Sequence, residues 1–391
     1  MFNSFRKYIK RTLSTIATVS IIAVTTFSVT ANVSAAASDS STAPKAAWPD
    51  APSITCESAI LIDADTGSIL YEKDSHRKAY PASTTKILTG LLTIENCNLN
   101  DTMTFSSKAA NSVNPYEDAN LSMKAGEQIT VEQALYGLLL YSANEIAYGL
   151  AEQVAGSADA FIDMMNNKAK ELGAINTHFA NPSGLYNSNH YTTAYDMAMI
   201  ARGCYNNASF VNIDSTSSSY TIPATNMSAQ RTIKHRHKML KGREFYYEYC
   251  KGGKTGFTDE SLMTLVTFAE KDGMRLICVV FRSPDDSTRY IDTRALFDWG
   301  FGNFKKSTTS NSQISSLFST DNYYSSDVFG KSKLGFNLNA SFITIPANGS
   351  TSDVTMDINT DYDVSNSNDK LTAKLNYKYG DNVVGTTTLT I

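Results

Sequence analysis

The hydrophobic period changes several times along this chain, and each change predicts an element. Residues 59–63 and 68–72 are apolar runs flanking Ala64-Asp65-Thr66-Gly67. That is the pattern of a β-hairpin around a glycine-containing turn. After Pro81-Ala82-Ser83 the period becomes helical, with Ile87, Leu88, Leu91 and Leu92 on one face. Thr130 with Gln133 forms a capping-box pattern that opens a helix over 135–141, and residues 161–172 and 194–201 continue the helical period. Two strand-like runs at 262–269 and 275–281 are joined by Glu270-Lys271-Asp272-Gly273, and residues 293–301 read as a closing helix. A hairpin, then helices, then strands that must pair with the hairpin predicts an α/β (α+β) sandwich with an antiparallel sheet over residues 54–304.

The ends read differently. Arg6, Lys7, Lys10 and Arg11 precede an apolar run over 16–29, and small residues follow at Val33-Ser34-Ala35-Ala36-Ala37. This predicts a signal peptide over 1–37, cleaved after Ala35 or Ala37, and an exported protein. The Ser/Ala/Pro-rich residues 38–53 read as a linker. Residues 305–391 contain no Arg, Glu, His or Cys, and alternate at 354–358, 371–379 and 386–391. They are assigned to a small, all-β C-terminal domain.

Composition narrows the function classes. The chain has 391 residues, 42% hydrophobic and 18% charged, which is enough for a sizeable core. Its formal charge is −4, and the four cations of residues 1–37 are matched by no acid, so the exported part is more acidic still. Nothing in that balance calls for nucleic acid. Cys56, Cys97, Cys204, Cys250 and Cys278 are far apart and make no C-x-x-C, so they read as free thiols within a core rather than a zinc site. No metal or cofactor is expected.

Three short strings carry the chemistry. Ser83-Thr84-Thr85-Lys86 places a hydroxyl and an amine three residues apart at a helix start, hence on one face. Serine needs a base within hydrogen-bond reach, and a lysine lowered by desolvation and a nearby cation can serve. Lys254 is a candidate for that cation. In Ser142-Ala143-Asn144, between two helical runs, the hydroxyl suits a proton relay, and the Asn144 amide suits holding a substrate and orienting Lys86. In Lys254-Thr255-Gly256, followed by Phe257 and Thr258, a cation and hydroxyls suit a carboxylate, and glycine permits close backbone approach. An edge strand here would align an extended peptide, and the N–H groups of Ser83 and Phe257 would form an oxyanion hole. Each string alone recurs by chance as a capped helix, a turn or a Gly-rich bend. Their co-occurrence in this order is the signal.

Over roughly residues 54–304 the chain resembles the low-molecular-mass penicillin-binding proteins, serine-type D-alanyl-D-alanine carboxypeptidases of the DacA/DacF kind (peptidase S11). Segments 61–67, 81–86, 181–185 (Asn-Pro-Ser-Gly-Leu), 195–198 and 272–276 carry the likeness beyond the three strings. The resemblance implies a penicillin-binding-protein-like sandwich, with Ser83, Lys86 and Ser142 catalytic. Asn144, Lys254, Thr255, Gly256, Phe257, Thr258 and, on the following strand, Arg275 would bind substrate. It further implies release of terminal D-Ala from peptidoglycan stem peptides through an acyl-enzyme, and covalent inhibition by β-lactams. A DD-endopeptidase acting on cross-links and a non-catalytic wall-binding relative are the alternatives. A class A β-lactamase needs a deacylating Glu, and Glu152, Glu171 and Glu244 lack its sequence setting. Two departures stand out: His235-Arg236-His237 replaces the asparagines usual at that place, and the membrane-binding amphipathic helix that often ends the family is not visible. The two histidines are expected to pack or to lie on the surface, and Arg236 to line the site.

Overall fold

A computed structural model describes residues 47–309, 341–359 and 372–390. The signal-peptide assignment lies outside the described residues. A five-stranded antiparallel sheet organises the molecule, in the spatial order β2-β1-β5-β4-β3. These strands are β1 (Ser58–Asp63), β2 (Ile69–Lys73), β3 (Cys250–Thr258), β4 (Leu262–Lys271) and β5 (Met274–Ser283). The hairpin expected at 59–72 is β1–β2, and that expected at 262–281 is β4–β5. β1 pairs with β5 from Ser58↔Phe281 to Asp63↔Leu276, which joins the start of the domain to its end.

The strands are apolar on both faces because both faces are covered. Ile60, Ile62, Val266, Phe268, Ile277, Val279 and Phe281 face the larger core, packed with the helices of the middle of the chain. Those helices include α1 (Lys86–Asn96), α2 (Val131–Tyr136), α3 (Asn144–Ala155), α4 (Ala158–Glu171), α5 (Ala194–Tyr205) and α6 (Ala208–Asp214). The alternate residues Ala59, Leu61, Leu265, Leu276, Cys278 and Val280 face the second core under α7 (Asp286–Asn303). A side-chain period of two therefore feeds two cores from one sheet. The capping box at Thr130 and Gln133 is present. Cys56, Cys204 and Cys278 are buried, Cys97 and Cys250 half-buried, and all five are free thiols.

β6 (Phe304–Thr308) follows α7 directly and pairs with β7 (Phe342–Pro346). β8 (Val354–Asn359), β9 (Thr372–Tyr379) and β10 (Asn382–Thr390) form a separate antiparallel sheet. This C-terminal part docks on the β1–β2 turn. Thr344 Oγ1 donates to Asp63 Oδ2 at 2.9 Å, and Lys306 Nζ donates to Asp65 Oδ2 at 2.5 Å. Within the segment read as a linker, the Trp48 ring packs against Phe304 with centroids 4.9 Å apart, and the Asp50 carbonyl accepts from Trp299 Nε1, so residues 48–50 are held by the fold. Among the described residues no helix is long and apolar enough to cross a membrane.

Candidate active site

Ser83 sits in a single 3₁₀ turn, Ala82–Thr85, which runs into α1 at Lys86. Ala82 is forced to φ 48°, a left-handed value that costs a non-glycine residue about 1 kcal/mol or more. The turn is braced by the Asn181–Leu185 loop: Gly184, at φ 86°, passes where a Cβ would strike the Ala82 carbonyl. Lys86 is fully buried. Its Nζ lies 2.9 Å from Ser83 Oγ, 2.6 Å from Asn144 Oδ1 and 2.5 Å from the Ser183 carbonyl.

Two of those partners are carbonyl oxygens and accept only. In its neutral form the amine has two N–H groups and one lone pair, so with Asn144 and Ser183 taking the N–H groups the lone pair would face the Ser83 hydroxyl. Burial, then the neighbouring charges of Lys254 and Arg236, hold the Lys86 amine well below the usual lysine range. Lys254, the cation anticipated for this purpose, is the second of those causes.

Ser142 ends a π-helical turn (Gly137–Tyr141) in the left-handed conformation, φ 71°. π-Turns within helices recur at functional sites, and this one interrupts what would otherwise run from α2 into α3. The interruption presents Ser142 and Asn144 to the same cleft as Ser83. Among the described residues the Ser142 hydroxyl makes no hydrogen bond to either lysine; Lys254 Nζ donates instead to the Thr255 carbonyl at 2.8 Å.

β3, the edge strand, carries the third string past Ser83. A Cβ on Gly256 would lie 2.9 Å from Ser83 N and would collide with Thr264 Oγ1, so only glycine fits. Lys254 is buried, and burial first, Arg236 second, bring it down to about 7. Arg289 of α7 also lowers it, while Asp214 acts the other way.

The cleft has a volume of about 730 Å³. Ser83, Ser142, Asn144, Thr255, Gly256, Phe257 and Thr258 line it. Lys86 and Lys254 lie immediately behind this lining, through the bonds described above. Arg275 does not join them. It is paired with Asp65 at 2.9 Å, bonds to Asn206 and the Tyr205 carbonyl, and stacks over the Tyr205 ring. Its strand neighbour is Glu270. Met263, which lines the cleft, is opposite Ser283, eight residues further along β5. At about 3.3 Å per residue that separation is roughly 25 Å. The expectation for Arg275 is therefore corrected: its charge is committed to a surface ion pair at the far end of the strand.

The arginine that sequence reasoning missed is Arg289. It is buried and donates to the carbonyls of Gly256 and Thr264 at 3.1 Å each, bracing the strand beside Ser83. Ser183 was quoted only within a resembling segment, yet its carbonyl is a direct Lys86 partner. Glu145 was also unmarked: it is buried beside Lys86, and burial raises its carboxyl. No spacing rule announces any of these, because each reaches the cleft from a different element. Lys234, Arg236, Lys238, Arg243, Glu117 and Asp118 also line the cleft. His235 and His237 are buried, 3% and 0% exposed, which settles their role as packing rather than surface residues.

An antiparallel sheet with helices on both faces and a serine–lysine pair at its edge strand defines the penicillin-binding-protein class of fold. The chain belongs to the peptidase S11, D-alanyl-D-alanine carboxypeptidase, family, whose profile matches residues 45–285. It is 34% identical over 254 residues to D-alanyl-D-alanine carboxypeptidase DacF of Bacillus subtilis (strain 168), a match covering 64% of this chain and 63% of DacF. This chain thus spans less than two thirds of that relative's length. A crystal structure of D-alanyl-D-alanine carboxypeptidase from Mycobacterium tuberculosis H37Rv is 32% identical, with a TM-score of 0.59 over 66% of this chain and 95% of that one. Penicillin binding protein 5 from Haemophilus influenzae shares the fold over 88% of this chain and 98% of its own, with a TM-score of 0.66 at 23% identity.

Proposed function

We propose that this protein is an exported serine-type D-alanyl-D-alanine carboxypeptidase that trims peptidoglycan stem peptides at the cell wall. The observation that carries the reading is the placement of Lys86: its buried Nζ lies 2.9 Å from Ser83 Oγ, and with Asn144 Oδ1 and the Ser183 carbonyl on its N–H groups a neutral amine would turn its lone pair to that hydroxyl. A fully buried lysine held in that state is a general base, not a solvated charge.

The substrate lies extended beside β3, whose outer edge pairs with no strand among the described residues. Its terminal carboxylate faces Lys254, Thr255 and Thr258. Ser83 Oγ attacks the carbonyl carbon of the penultimate D-Ala, and Lys86 takes the hydroxyl proton. The developing oxyanion is met by the N–H groups of Ser83 and Phe257, brought together by the absence of a side chain on Gly256. On collapse the C–N bond breaks. The proton held by Lys86 passes through the Ser142 hydroxyl to the leaving amine, and free D-Ala departs. Water then attacks the Ser83 ester, with Lys86 again taking a proton. A β-lactam, whose strained amide bears a nearby carboxylate, would acylate Ser83 in the same way.

Incubation with a labelled penicillin and with a pentapeptide ending in D-Ala-D-Ala tests this. Label on Ser83 and release of one D-Ala are expected. Absence of label sinks the acyl-enzyme; label without D-Ala release turns the assignment towards an endopeptidase or a non-catalytic relative.

A further inference from the structure

His190 is 2% exposed and joins two segments that meet at Lys86. Its Nδ1 accepts the Ala180 N–H at 3.0 Å, and its Nε2 lies 2.8 Å from Thr85 Oγ1. Because Nδ1 is an acceptor, the proton of the ring sits on Nε2 and is donated to Thr85. A second ring proton would set an N–H against the Ala180 N–H, so this geometry admits only the neutral imidazole. Burial, then the neighbouring His178 and Lys86, bring its value down to about 3, in agreement. The Phe179 ring meets the imidazole edge-on, with centroids 5.4 Å apart.

The two bonds end on either side of the amine. Thr85 immediately precedes Lys86, in the turn that starts at Ala82 with φ 48°. Ala180 immediately precedes Asn181, whose Oδ1 accepts from Ser183 N at 3.2 Å and from Gly184 N at 2.7 Å. Those bonds shape the loop that presents the Ser183 carbonyl to Lys86 Nζ. One turn further along α1, Thr89 Oγ1 donates to the Pro182 carbonyl at 2.7 Å. The loop is thus tied to the nucleophile turn by His190 and to the helix by Thr89. A left-handed turn and an irregular loop keep a fixed mutual position only through such ties.

We propose that His190 is a positioning residue: by holding Thr85 and Ala180 together it keeps the Ser183 carbonyl, Lys86 and Ser83 at the spacing that proton transfer needs. It touches neither the substrate nor the reacting atoms, and acts through Thr85 and the Asn181–Leu185 loop. This rests on the reading that Lys86 takes the Ser83 proton. Loss of the tie should slow acylation and leave substrate binding alone, because the residues that face the ligand belong to other segments.

Labelled penicillin and a pentapeptide ending in D-Ala-D-Ala test it. His190→Asn keeps an acceptor for the Ala180 N–H and is too short to reach Thr85. Thr85→Val removes the other half of that bond, and Thr85→Ser keeps it. The labelled fraction at completion counts folded protein, whereas the rate constant reports the site. His190→Asn and Thr85→Val should each label to completion, about ten-fold or more slowly. Their kcat for D-Ala release should fall likewise at unchanged KM. The double variant should be no slower than either single one, as for a coupled pair, and Thr85→Ser should keep the rate of the unsubstituted protein. A reduced labelled fraction at an unchanged rate would make His190 a packing residue and overturn the inference. Additive losses, a raised KM at unchanged kcat, or full rates in both single variants also overturn it while leaving the acyl-enzyme intact. No label on the unsubstituted protein overturns the acyl-enzyme and this inference with it.

Discussion

Gly256 runs past Ser83 so closely that a single added carbon would sit 2.9 Å from the serine backbone nitrogen. The edge strand and the nucleophile turn are therefore one surface, and the N–H groups at their junction are held at a spacing that a larger residue would open. Gly256→Ala is expected to fold with some loss of stability, because the added carbon must displace Thr264 Oγ1 and press on the Ser83 turn. It should slow penicillin acylation by about 10²-fold, the usual cost of disturbing one oxyanion donor. Stopped-flow labelling against thermal melting separates the two effects; slow labelling confined to temperatures near the melting transition would point to the fold instead.

Burial penalises the charged form of Lys86 and so opposes folding wherever the unfolded chain would protonate it. Its depressed value means that the unfolded state binds more protons over the interval between the folded and the ordinary lysine range. Stability therefore rises with pH across that interval. Lys86→Met should abolish acylation and raise the melting temperature at pH 7, and its margin over wild type should shrink as pH is raised towards 10. Calorimetric scans at pH 7 and 9 check it. A variant less stable than wild type at pH 7 would contradict the account.

Lys254, brought to about 7, is charged below that pH and neutral above it. Its hold on a carboxylate weakens as pH rises through 7, so KM for a D-Ala-D-Ala peptide should climb on the alkaline side with a smaller change in kcat. Lys254→Arg, charged throughout, should move that alkaline rise upward by more than one pH unit. A pH profile of KM and kcat measured separately shows which parameter moves.

Arg275 is half-buried in an ion pair with Asp65, far from the cleft. Arg275→Ala should cost about 1 kcal/mol of stability or less, as partly exposed pairs do, and leave kcat/KM within two-fold. Urea melts and peptide kinetics on the same preparation decide it; a large fall in kcat/KM at unchanged stability would restore the substrate-binding expectation.

Much of the sheet and several helices were legible because their signals are local. The β1–β2 and β4–β5 hairpins follow from apolar runs around Gly67 and Gly273, and the Thr130–Gln133 box marks a helix start. The Ser83–Lys86 pair was legible for the same reason: three residues on one helical turn meet whatever surrounds them. Arg275 misled because an arginine on a strand declares its face and not which end of the sheet it reaches, and Asp65 lies 210 residues away in sequence. Arg289 went unmarked because its role is to bond two carbonyls of strands that only the sheet register brings beneath it.

By itself the sequence determined the hairpins, the helix that carries Ser83 and Lys86, and the three strings from which the chemistry was read, since all are set by periods of two or 3.6 and by capping within a few residues. Only the tertiary structure decided the state of Lys86. The Asn144 amide, the Ser183 carbonyl and the Lys254 charge arrive from 58, 97 and 168 residues away, and together with burial they fix its place beside Ser83 and disfavour its charge. It also decided which cations share the cleft, because Lys234, Arg236, Lys238, Arg243 and Arg289 reach it from segments whose packing no local pattern specifies.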